Sequence, residues 1–461
     1  MIVHFIAIGG SVMHQLAIAL KLKGYHVTGS DDEIFEPARS NLRKNDLLPT
    51  RMGWFEENIH DSIDSIILGM HAREDNPELI KAKELGLKIY SFPEYIFEES
   101  KNKLRVAIGG SHGKTSTTAM IMHVLKGAGK KFDYLVGAQL EGFEQSVHIT
   151  DAPVIICEAD EYPASAIEKR PKFHFLFPNI AVITGIAWDH INVFPTFDFY
   201  LEQFLVFIHK IEPGGLLIFN NLDEVLVKLI NDNRRSDIRY EPYQLPTYFI
   251  EDGITEVIIE SHKIALKVFG NHNLLNLQAA WLVCNELGIE SIEFTKHIAT
   301  FAGASKRLQL LAANDQANVY RDFAHAPSKV KATIEALSQQ FPERKLIAVL
   351  ELHTYSSLNA AFMTEYRDVM DNADISAVFY SAHALEIKRL PQLDPEIVKM
   401  GFNSPGLEVF TARETLENWL GQLDYSRSNL LLMSSGTFAD MDITAFLEKV
   451  ANKQHINKQG G

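Results

Sequence analysis

The chain has 461 residues, 46% hydrophobic and 22% charged, with a formal net charge of −15. This length predicts two to four domains, the composition argues against long disorder or a fibrous protein, and the acidity argues against a nonspecific nucleic-acid partner. Its two cysteines stand in apolar segments without a zinc or disulfide pattern, and the sequence has neither a basic leader nor a membrane-length apolar run, so we expect a cytoplasmic protein without membrane insertion.

The first hundred residues alternate apolar and amphipathic segments. The segments "IVHFIAIGG", "YHVTGSD", "SIDSIILGM" and "LKIYSFPEYIF" are typical of strands, and "HQLAIALKLKG" and "NPELIKAKELG" of helices. Strands that alternate with helices predict parallel βαβ units.

A glycine turn follows the first strand and consists of Gly9, Gly10 and Ser11. Asp31 and Asp32 follow about twenty residues later, where a nucleotide-binding unit places an acid near a ribose. The GxGxxG pattern is incomplete, because Ala7 and Val12 occupy positions where glycines are expected. An ordinary strand-to-helix turn therefore stays open as an alternative.

The charged stretch "EESKNKLR" predicts a first linker over 98–105. The helical segment "GNHNLLNLQAAWLVCNELG" is followed by a short helix and the loop "FAGASKR", which predicts a second boundary near 305. Further alternating segments, including "KLIAVLELH", "ISAVFYSA" and "NLLLMSSGTF", follow that boundary. We therefore expect three α/β domains over 1–102, 103–304 and 305–461.

The stretch "GGSHGKTSTT" lies between an apolar strand and a predicted helix. A phosphate-binding loop needs glycines, a helix N-terminus, a lysine and a hydroxyl, and this stretch supplies all of them. The GxxxxGK[ST] spacing fails by one residue, because Ile108 replaces the leading glycine. A glycine-rich turn with a chance GKT is the alternative.

Acidic residues and a histidine follow the next two strands. Glu158, Asp160 and Glu161 come after "VIIC", and Asp189 and His190 come after "AVIT". Because ligands of open α/β sheets gather at the carboxyl ends of strands, these groups are candidates to surround magnesium and a transferring phosphoryl group. A solvated acidic turn and a structural histidine are the alternatives.

The sequence resembles the Mur ligases, ATP-dependent amide-forming enzymes that build the peptide of bacterial peptidoglycan. The resemblance rests on "GGSHGKTSTT", "EADEY", "DH" at 189–190, "GNHNLLNLQAA", "KRLQ" and "RDFAHAP", which occur in the family's order. It implies an N-terminal Rossmann-like domain for a UDP-sugar, a central P-loop ATPase-type domain with a mostly parallel sheet, and a C-terminal Rossmann-like domain that closes on it. ATP and Mg²⁺ are the implied cofactors.

The resemblance also implies residue roles. Magnesium would be held by Thr115, Glu158 and His190, and the nucleotide by Gly110, Ser111, His112, Gly113, Lys114, Thr115, Ser116, Asn273, Asn276, Arg307 and Asp322. Substrate would contact Gly9, Gly10, Ser11, Asp31 and His325, and the catalytic set would be Lys114, Glu158, His190 and Arg307. From the residues alone, helix capping for the two asparagines and a surface ion pair for Arg307 are the simpler interpretations.

Within the family, "EADEYPASAIEKRPKFHFLFP" looks most like the murein peptide ligase branch. That branch joins UDP-N-acetylmuramate to L-Ala-γ-D-Glu-meso-diaminopimelate, and the branch closest to it adds L-alanine to the same sugar. The basic cluster Lys169, Arg170 and Lys172 would suit a substrate with several carboxylates, although a solvated turn is equally compatible. Ala326 departs from the family's second histidine, and the first lysine after "WDHINVF" is Lys210, too distant to be the carbamylated ligand of other branches.

Three other functions are weighed against this one. A non-catalytic nucleotide switch would not need Glu158, His190 and Arg307 together, and an NAD-dependent oxidoreductase lacks support beyond the incomplete first glycine turn. A folate-polyglutamate ligase would lack an N-terminal UDP-sugar domain. The sequence predicts no particular oligomeric state.

Overall fold

The structure, a computed structural model, describes residues 1–165, 167–188, 193–304, 307–314 and 317–442. The described residues form two compact units. The first contains residues 1–188, 195–245 and 275–298, and the second contains 193–194, 246–274 and the described residues from 299 to 442. The predicted boundaries at 102/103 and 304/305 stay a prediction.

The N-terminal sheet is built from four parallel strands, β1 (Ile2–Ile6), β2 (His26–Ser30), β3 (Ser65–Leu68) and β4 (Ile89–Ser91). They pair in the order β2-β1-β3-β4. The helices of this region are α1 (Met13–Leu22), α2 (Ala38–Lys44), α3 (Pro77–Glu84) and α4 (Phe92–Ser100), with a 3₁₀ turn at Glu56–Asn58. Because β1 is internal to the sheet, its glycine turn lies among the carboxyl ends of its neighbours, where such sheets bind ligands.

The connection to the next sheet is shorter than predicted. Helix α4 continues to Ser100, so residues 98–100 of the predicted linker are helical. The buried Arg105 holds this connection, because its Nη1 donates to the carbonyls of Ser100 at 3.1 Å and Lys101 at 2.9 Å. Its Nη2 pairs with Glu212 at 2.9 Å.

The central sheet has seven strands, β5 (Leu104–Gly109), β6 (Asp133–Leu135), β7 (Val147–His148), β8 (Val154–Glu158), β9 (Ile180–Ile183), β10 (Leu216–Asn220) and β11 (Arg239–Tyr243). Their order is β11-β10-β9-β5-β8-β6-β7, and only β7 runs antiparallel to its neighbour. The accompanying helices are α5 (Lys114–Gly127), α6 (Phe197–His209) and α7 (Glu224–Asp232), with a 3₁₀ turn at Lys172–Phe175. Strand β5 lies between β8 and β9, so the candidate phosphate loop is flanked by the segments that follow both.

A small antiparallel sheet was not predicted from the sequence. It consists of β12 (Thr247–Glu251), β13 (Ile254–Ile259) and β14 (His262–Leu266). The first hairpin turns at Asp252 and Gly253, which have φ of 51° and 73°. An Asp-Gly pair between apolar runs is a strong hairpin signal, so this element could have been found. Two helices follow the sheet, α8 (Asn271–Glu286) and α9 (Ser291–Ile298).

The C-terminal sheet has six strands, β15 (Gln309–Ala313), β16 (Ala317–Asp322), β17 (Lys345–Glu351), β18 (Ile375–Phe379), β19 (Glu408–Phe410) and β20 (Ser428–Met433). Their order is β15-β16-β20-β17-β18-β19, and only β15 is antiparallel. The helices are α10 (Pro327–Gln340), α11 (Ala382–Ile387), α12 (Pro395–Phe402) and α13 (Arg413–Leu420), with a 3₁₀ segment at Ala360–Tyr366. Alternate residues of β17 enter apolar clusters on opposite faces, so the sheet is covered on both sides.

The predicted fold class is therefore confirmed: the chain is α/β with sheets dominated by parallel strands. Among the described helices, none has the length and apolarity needed to cross a membrane.

Candidate active site

The loop between β5 and α5 has the conformation of a phosphate cradle. Gly110 and Gly113 have φ of 126° and 77°, a region that favours glycine. A Cβ on Gly110 would lie 2.2 Å from Thr184 Oγ1, and one on Gly113 would lie 2.2 Å from Asn276 Oδ1. Both glycines are therefore required by conformation and by space, as the sequence motif predicts.

Residues from two neighbouring segments hold this loop. The hydroxyl of Thr184, just after β9, donates to the carbonyl of His112. The hydroxyl of Ser111 lies 2.8 Å from Tyr200 Oη and accepts from the Ala187 N–H at 2.8 Å. Thr184 and Tyr200 were missed in the sequence, although the position of Thr184 at the carboxyl end of a strand is a usable signal.

Lys114 is the first residue of α5 and is mostly enclosed. Its Nζ donates to the Gly110 carbonyl at 2.5 Å and to Glu161 Oε2 at 2.7 Å, and Glu161 is 1% exposed. Burial opposes the charged form of the lysine, but Glu161, Asp160 and Glu158 outweigh that effect and raise the pKa of Lys114. The lysine is thus held as a cation at the loop.

Glu158 ends β8 and faces the same loop. Its Oε1 accepts from the Thr115 hydroxyl at 2.7 Å, and its Oε2 accepts from the Gly137 N–H at 2.9 Å. A hydroxyl and a carboxylate side by side are ligands that suit Mg²⁺. The structure therefore brings together two of the three predicted metal ligands.

The third predicted ligand, His190, and its neighbour Asp189 lie outside the described residues. Within the described part of the chain, no three His, Cys, Asp or Glu side chains converge as a metal-binding group.

Two residues of the predicted basic cluster, Arg170 and Lys172, are engaged in local ion pairs. Arg170 Nη2 lies 2.7 Å from Glu168 Oε2, and Lys172 Nζ lies 2.6 Å from Asp160 Oδ2. Burial alone would raise the pKa of Asp160, but Lys172 and Lys114 lower it. Lys172 is therefore part of the charge network around the phosphate loop, which weakens its assignment to a substrate carboxylate.

Asn276, on α8, contacts the start of α5. Its Oδ1 accepts from the Thr117 hydroxyl at 3.3 Å and lies against Gly113. Ser116 lies in the first turn of α5. In this conformation Asn276 supports the phosphate loop, and its predicted contact with adenine stays a prediction.

The first glycine turn is fixed by Asp31, which is fully buried, whereas Asp32 is exposed. Asp31 Oδ2 accepts from the Gly9 N–H at 2.6 Å, and a Cβ on Gly9 would lie 2.8 Å from that oxygen. Burial raises the pKa of Asp31 to about 6, although the Gly9 hydrogen bond opposes the rise. Asp31 therefore fixes the turn by accepting a hydrogen bond from the main chain of Gly9.

Ala7, where the sequence departs from the glycine pattern, has φ of 68° and is 1% exposed. The turn thus keeps the left-handed conformation that glycine adopts most easily, with an alanine in its place. Gly10 and Ser11 follow it before α1 begins at Met13.

In the second unit, Asp322 ends β16 and is buried. Its Oδ1 accepts from the Ala324 N–H at 2.6 Å, and its Oδ2 from the Leu308 N–H at 2.5 Å. Burial raises the pKa of Asp322 despite the nearby charge of Arg307. The Arg307 guanidinium lies 4.8 Å from the centre of the Phe323 ring.

Other predicted residues of this unit have structural contacts. Asn273 Nδ2 donates to the Phe269 carbonyl at 2.9 Å, and His325 Nδ1 lies 2.8 Å from the Phe323 carbonyl. Burial, with the charge of Arg307, lowers the pKa of His272 to about 4. The structure thus leaves the predicted nucleotide roles of Asn273, Arg307 and Asp322 as predictions.

The sequence analysis missed a candidate crevice, the strand reversal at the carboxyl ends of β17 and β20. The chain runs from β17 outward to β19 and then returns to place β20 on the other side of β17, and open α/β sheets bind ligands at such reversals. Glu351, 3% exposed, accepts through Oε2 from the Ser434 hydroxyl and from the Phe438 N–H at 2.8 Å. Its Oε1 lies 3.9 Å from Nδ1 of the partly exposed His353. Glu351 follows the apolar run "KLIAVL" in the sequence, and a carboxylate at the end of a predicted strand was the signal that could have indicated this site.

Comparison with known families covers most of the chain. Residues 2–103 match the Mur ligase family catalytic domain, 108–284 the Mur ligase middle domain, and 306–431 the Mur ligase glutamate ligase domain.

Curated relatives match over similar spans. A UDP-N-acetylmuramate–L-alanine ligase of Sulfurihydrogenibium is 30% identical over 452 residues, covering 96% of each chain. A protein of the same name from Caldicellulosiruptor bescii is 32% identical and covers 80% of this chain and 81% of its own.

Solved structures share the fold. A UDP-N-acetylmuramate-alanine ligase from Thermotoga maritima superposes with a TM-score of 0.65 at 21% identity, covering 98% of this chain and 99% of its own. A murein peptide ligase from Psychrobacter arcticus gives 0.64 at 19% identity with the same coverage.

Proposed function

We propose that this chain, which belongs to the Mur ligase family of ATP-dependent ligases that form carbon–nitrogen bonds, takes UDP-N-acetylmuramate as its carboxylate substrate. The names of the curated relatives support this substrate. The observation that carries the proposal is the convergence of Lys114, Thr115 and Glu158 on one glycine loop.

The chemistry follows from what the loop provides. A carboxylate is a poor electrophile, so the γ-phosphoryl group of ATP is first transferred to the lactoyl carboxylate: an oxygen–phosphorus bond forms, the bond to the β-phosphate oxygen breaks, and ADP leaves. Lys114 and the loop amides stabilise the charge that moves in this step. The amine then attacks the acyl carbon and loses a proton, and phosphate departs as the amide forms.

The residues present fit a magnesium ion. The Thr115 hydroxyl and the Glu158 carboxylate are adjacent oxygen donors, and His190 is the third proposed ligand. Bound there, Mg²⁺ would neutralise negative charge on the phosphates. Thr115 and Glu158 already contact each other, so they are oriented before any ion binds.

Free L-alanine is the acceptor that the relatives' names support. The tripeptide L-Ala-γ-D-Glu-meso-diaminopimelate is the second candidate, supported by the segment "EADEYPASAIEKRPKF". Both acceptors offer the α-amine of an L-alanyl unit, so the reaction at the carbonyl is the same. The basic cluster no longer argues for the tripeptide, because Arg170 and Lys172 pair with nearby acids.

We place the acceptor at the crevice of Glu351 and His353. A glutamate side chain with one oxygen fixed by the Ser434 hydroxyl and the Phe438 N–H is suited to accept a hydrogen bond from an ammonium group. This assignment is compatible with either acceptor, because each offers the α-ammonium of its L-alanyl unit there.

The test is ADP release with UDP-N-acetylmuramate and Mg·ATP fixed, while L-alanine and the tripeptide are each titrated. Mass spectrometry identifies the amide product. A higher kcat/KM for L-alanine supports the first candidate, and a higher value for the tripeptide supports the second. If neither amine stimulates ADP release beyond the level without amine, the proposed function is wrong.

A further inference from the structure

A continuous path of hydrogen bonds joins the first glycine turn to Glu158. It begins at Gly10, whose carbonyl oxygen lies 2.9 Å from Nδ1 of His14, a residue that is 3% exposed. The other ring nitrogen, Nε2, lies 2.9 Å from Nε2 of Gln15. Both residues stand in the first turns of α1, directly after the turn assigned to the UDP-sugar.

The chemistry of these groups fixes the direction of each hydrogen bond. A carbonyl oxygen only accepts, so His14 Nδ1 carries the proton and Nε2 is the acceptor. The Gln15 amide therefore donates its N–H to His14 and points its Oε1 away. That oxygen accepts from the Ser146 N–H at 3.3 Å. Burial lowers the pKa of His14, more than its bond to Gly10 raises it, which keeps the ring neutral.

The path continues through the loop between β6 and β7. The Ser146 carbonyl accepts from the Val136 N–H at 2.9 Å. The next residue, Gly137, donates its N–H to Glu158 Oε2 at 2.9 Å. Five hydrogen bonds and two short main-chain segments, one through Ser146 and one from Val136 to Gly137, thus separate the carbonyl of Gly10 from a carboxylate of the nucleotide site.

We propose that Gln15 is a positioning residue that couples occupancy of the Gly9–Gly10 turn to the orientation of Glu158. The inference rests on the proposed function, because it assigns the two ends to UDP-N-acetylmuramate and Mg·ATP. A ligand that fixes the start of α1 fixes the Gln15 amide, and that amide holds the strand pair whose end positions Glu158. By thermodynamic linkage, nucleotide then tightens sugar binding by the same factor as the reverse.

The experiment measures this factor by calorimetry. UDP-N-acetylmuramate is titrated into the full chain with and without Mg²⁺ and β,γ-methylene-ATP, and we expect nucleotide to tighten binding about 5-fold or more. Gln15→Ala is expected to reduce the ratio to within about twofold of one, while each ligand alone binds about as tightly as in the parent. Gln139→Ala is the matched control, because Gln139 lies after β6 and its side-chain amide donates to the Phe143 and Glu144 carbonyls of its own loop.

Gln15→Glu separates the two halves of the path. Its carboxylate still accepts from the Ser146 N–H but has no N–H to give to His14, so we expect a ratio between those of the parent and Gln15→Ala. A Gln15→Ala variant that loses thermal stability but keeps the parent ratio would overturn the inference, as would a parent ratio of one. A parent that binds neither ligand would instead refute the proposed function.

Discussion

Lys114 and Glu161 form an ion pair of 2.7 Å inside the phosphate loop, with Glu161 almost completely buried. The lysine is therefore enclosed by the loop and its neighbours, with only 14% of its side chain exposed. Its removal takes one cation away from a buried carboxylate, which is costly for folding as well as for catalysis.

We predict that Lys114→Ala lowers kcat at least about a thousandfold and also lowers the unfolding temperature. Lys114→Ala combined with Glu161→Gln restores most of the stability but none of the activity, because the buried charge is removed and the phosphates still lack their lysine. Differential scanning calorimetry and ADP release check the two effects. Activity within tenfold of the parent in either variant would refute the phosphate-loop assignment.

Glu158→Gln is expected to raise the Mg²⁺ concentration for half-maximal activity by about tenfold or more, because the proposed metal ligand is lost along with one acceptor of the Thr115 and Gly137 hydrogen bonds. The measurement is a magnesium titration at saturating substrates. The control is Glu168→Gln, which removes a carboxylate that forms an ion pair with Arg170. An unchanged titration for Glu158→Gln would mean that its role is structural. His190→Ala is expected to shift the titration in the same direction.

The contact between Gly113 and Asn276 predicts a rescue. Gly113→Ala places a methyl group against Asn276 Oδ1 and should abolish measurable nucleotide binding. Adding Asn276→Ala removes the clash but leaves an alanine with positive φ, which costs about 1 to 2 kcal/mol. The double variant should therefore bind nucleotide about 5- to 30-fold more weakly than Asn276→Ala alone. Equal nucleotide binding by Gly113→Ala and by the double variant that also carries Asn276→Ala would contradict this geometry.

Asp31 predicts a pH dependence of stability. Its pKa of about 6 in the folded chain exceeds the ordinary value of about 4, so the folded state holds the proton more tightly. The contribution to stability is thus present below about pH 4 and lost as pH rises to about 6, a change of about 3 kcal/mol. Asp31→Asn removes it, so the unfolding temperature of the parent relative to this variant should fall between pH 4 and pH 6. A constant difference would refute the prediction.

Glu351→Gln tests the crevice of the C-terminal unit. The amide retains an acceptor for Ser434 or Phe438 but loses the charge, so we expect the KM of the amine acceptor to rise about tenfold while the KM values of ATP and UDP-N-acetylmuramate change less than twofold. Initial rates with each substrate varied in turn give the three values. Equal changes in all three would mean that Glu351 only supports the fold.

Much of this molecule is encoded locally. Alternating strand and helix patterns predict the parallel α/β sheets, because a buried parallel strand must be apolar and its crossover helix amphipathic. The glycine loop with Lys114 can be predicted from the sequence equally well, since its conformation depends on residues adjacent in sequence. Even the departure at Ala7 marks a real feature, because the chain keeps positive φ there.

Other features depend on contacts between residues far apart in the chain. Glu161 pairs with Lys114 across 47 positions, and Asn276 lies more than 150 residues beyond the glycine it packs against. The path from Gln15 to Ser146 and the crevice between β17 and β20 likewise exist only once strand order brings the segments together. A sequence pattern fixes which residues are buried or turned, but which buried charge meets which partner is decided by the packing of the sheets.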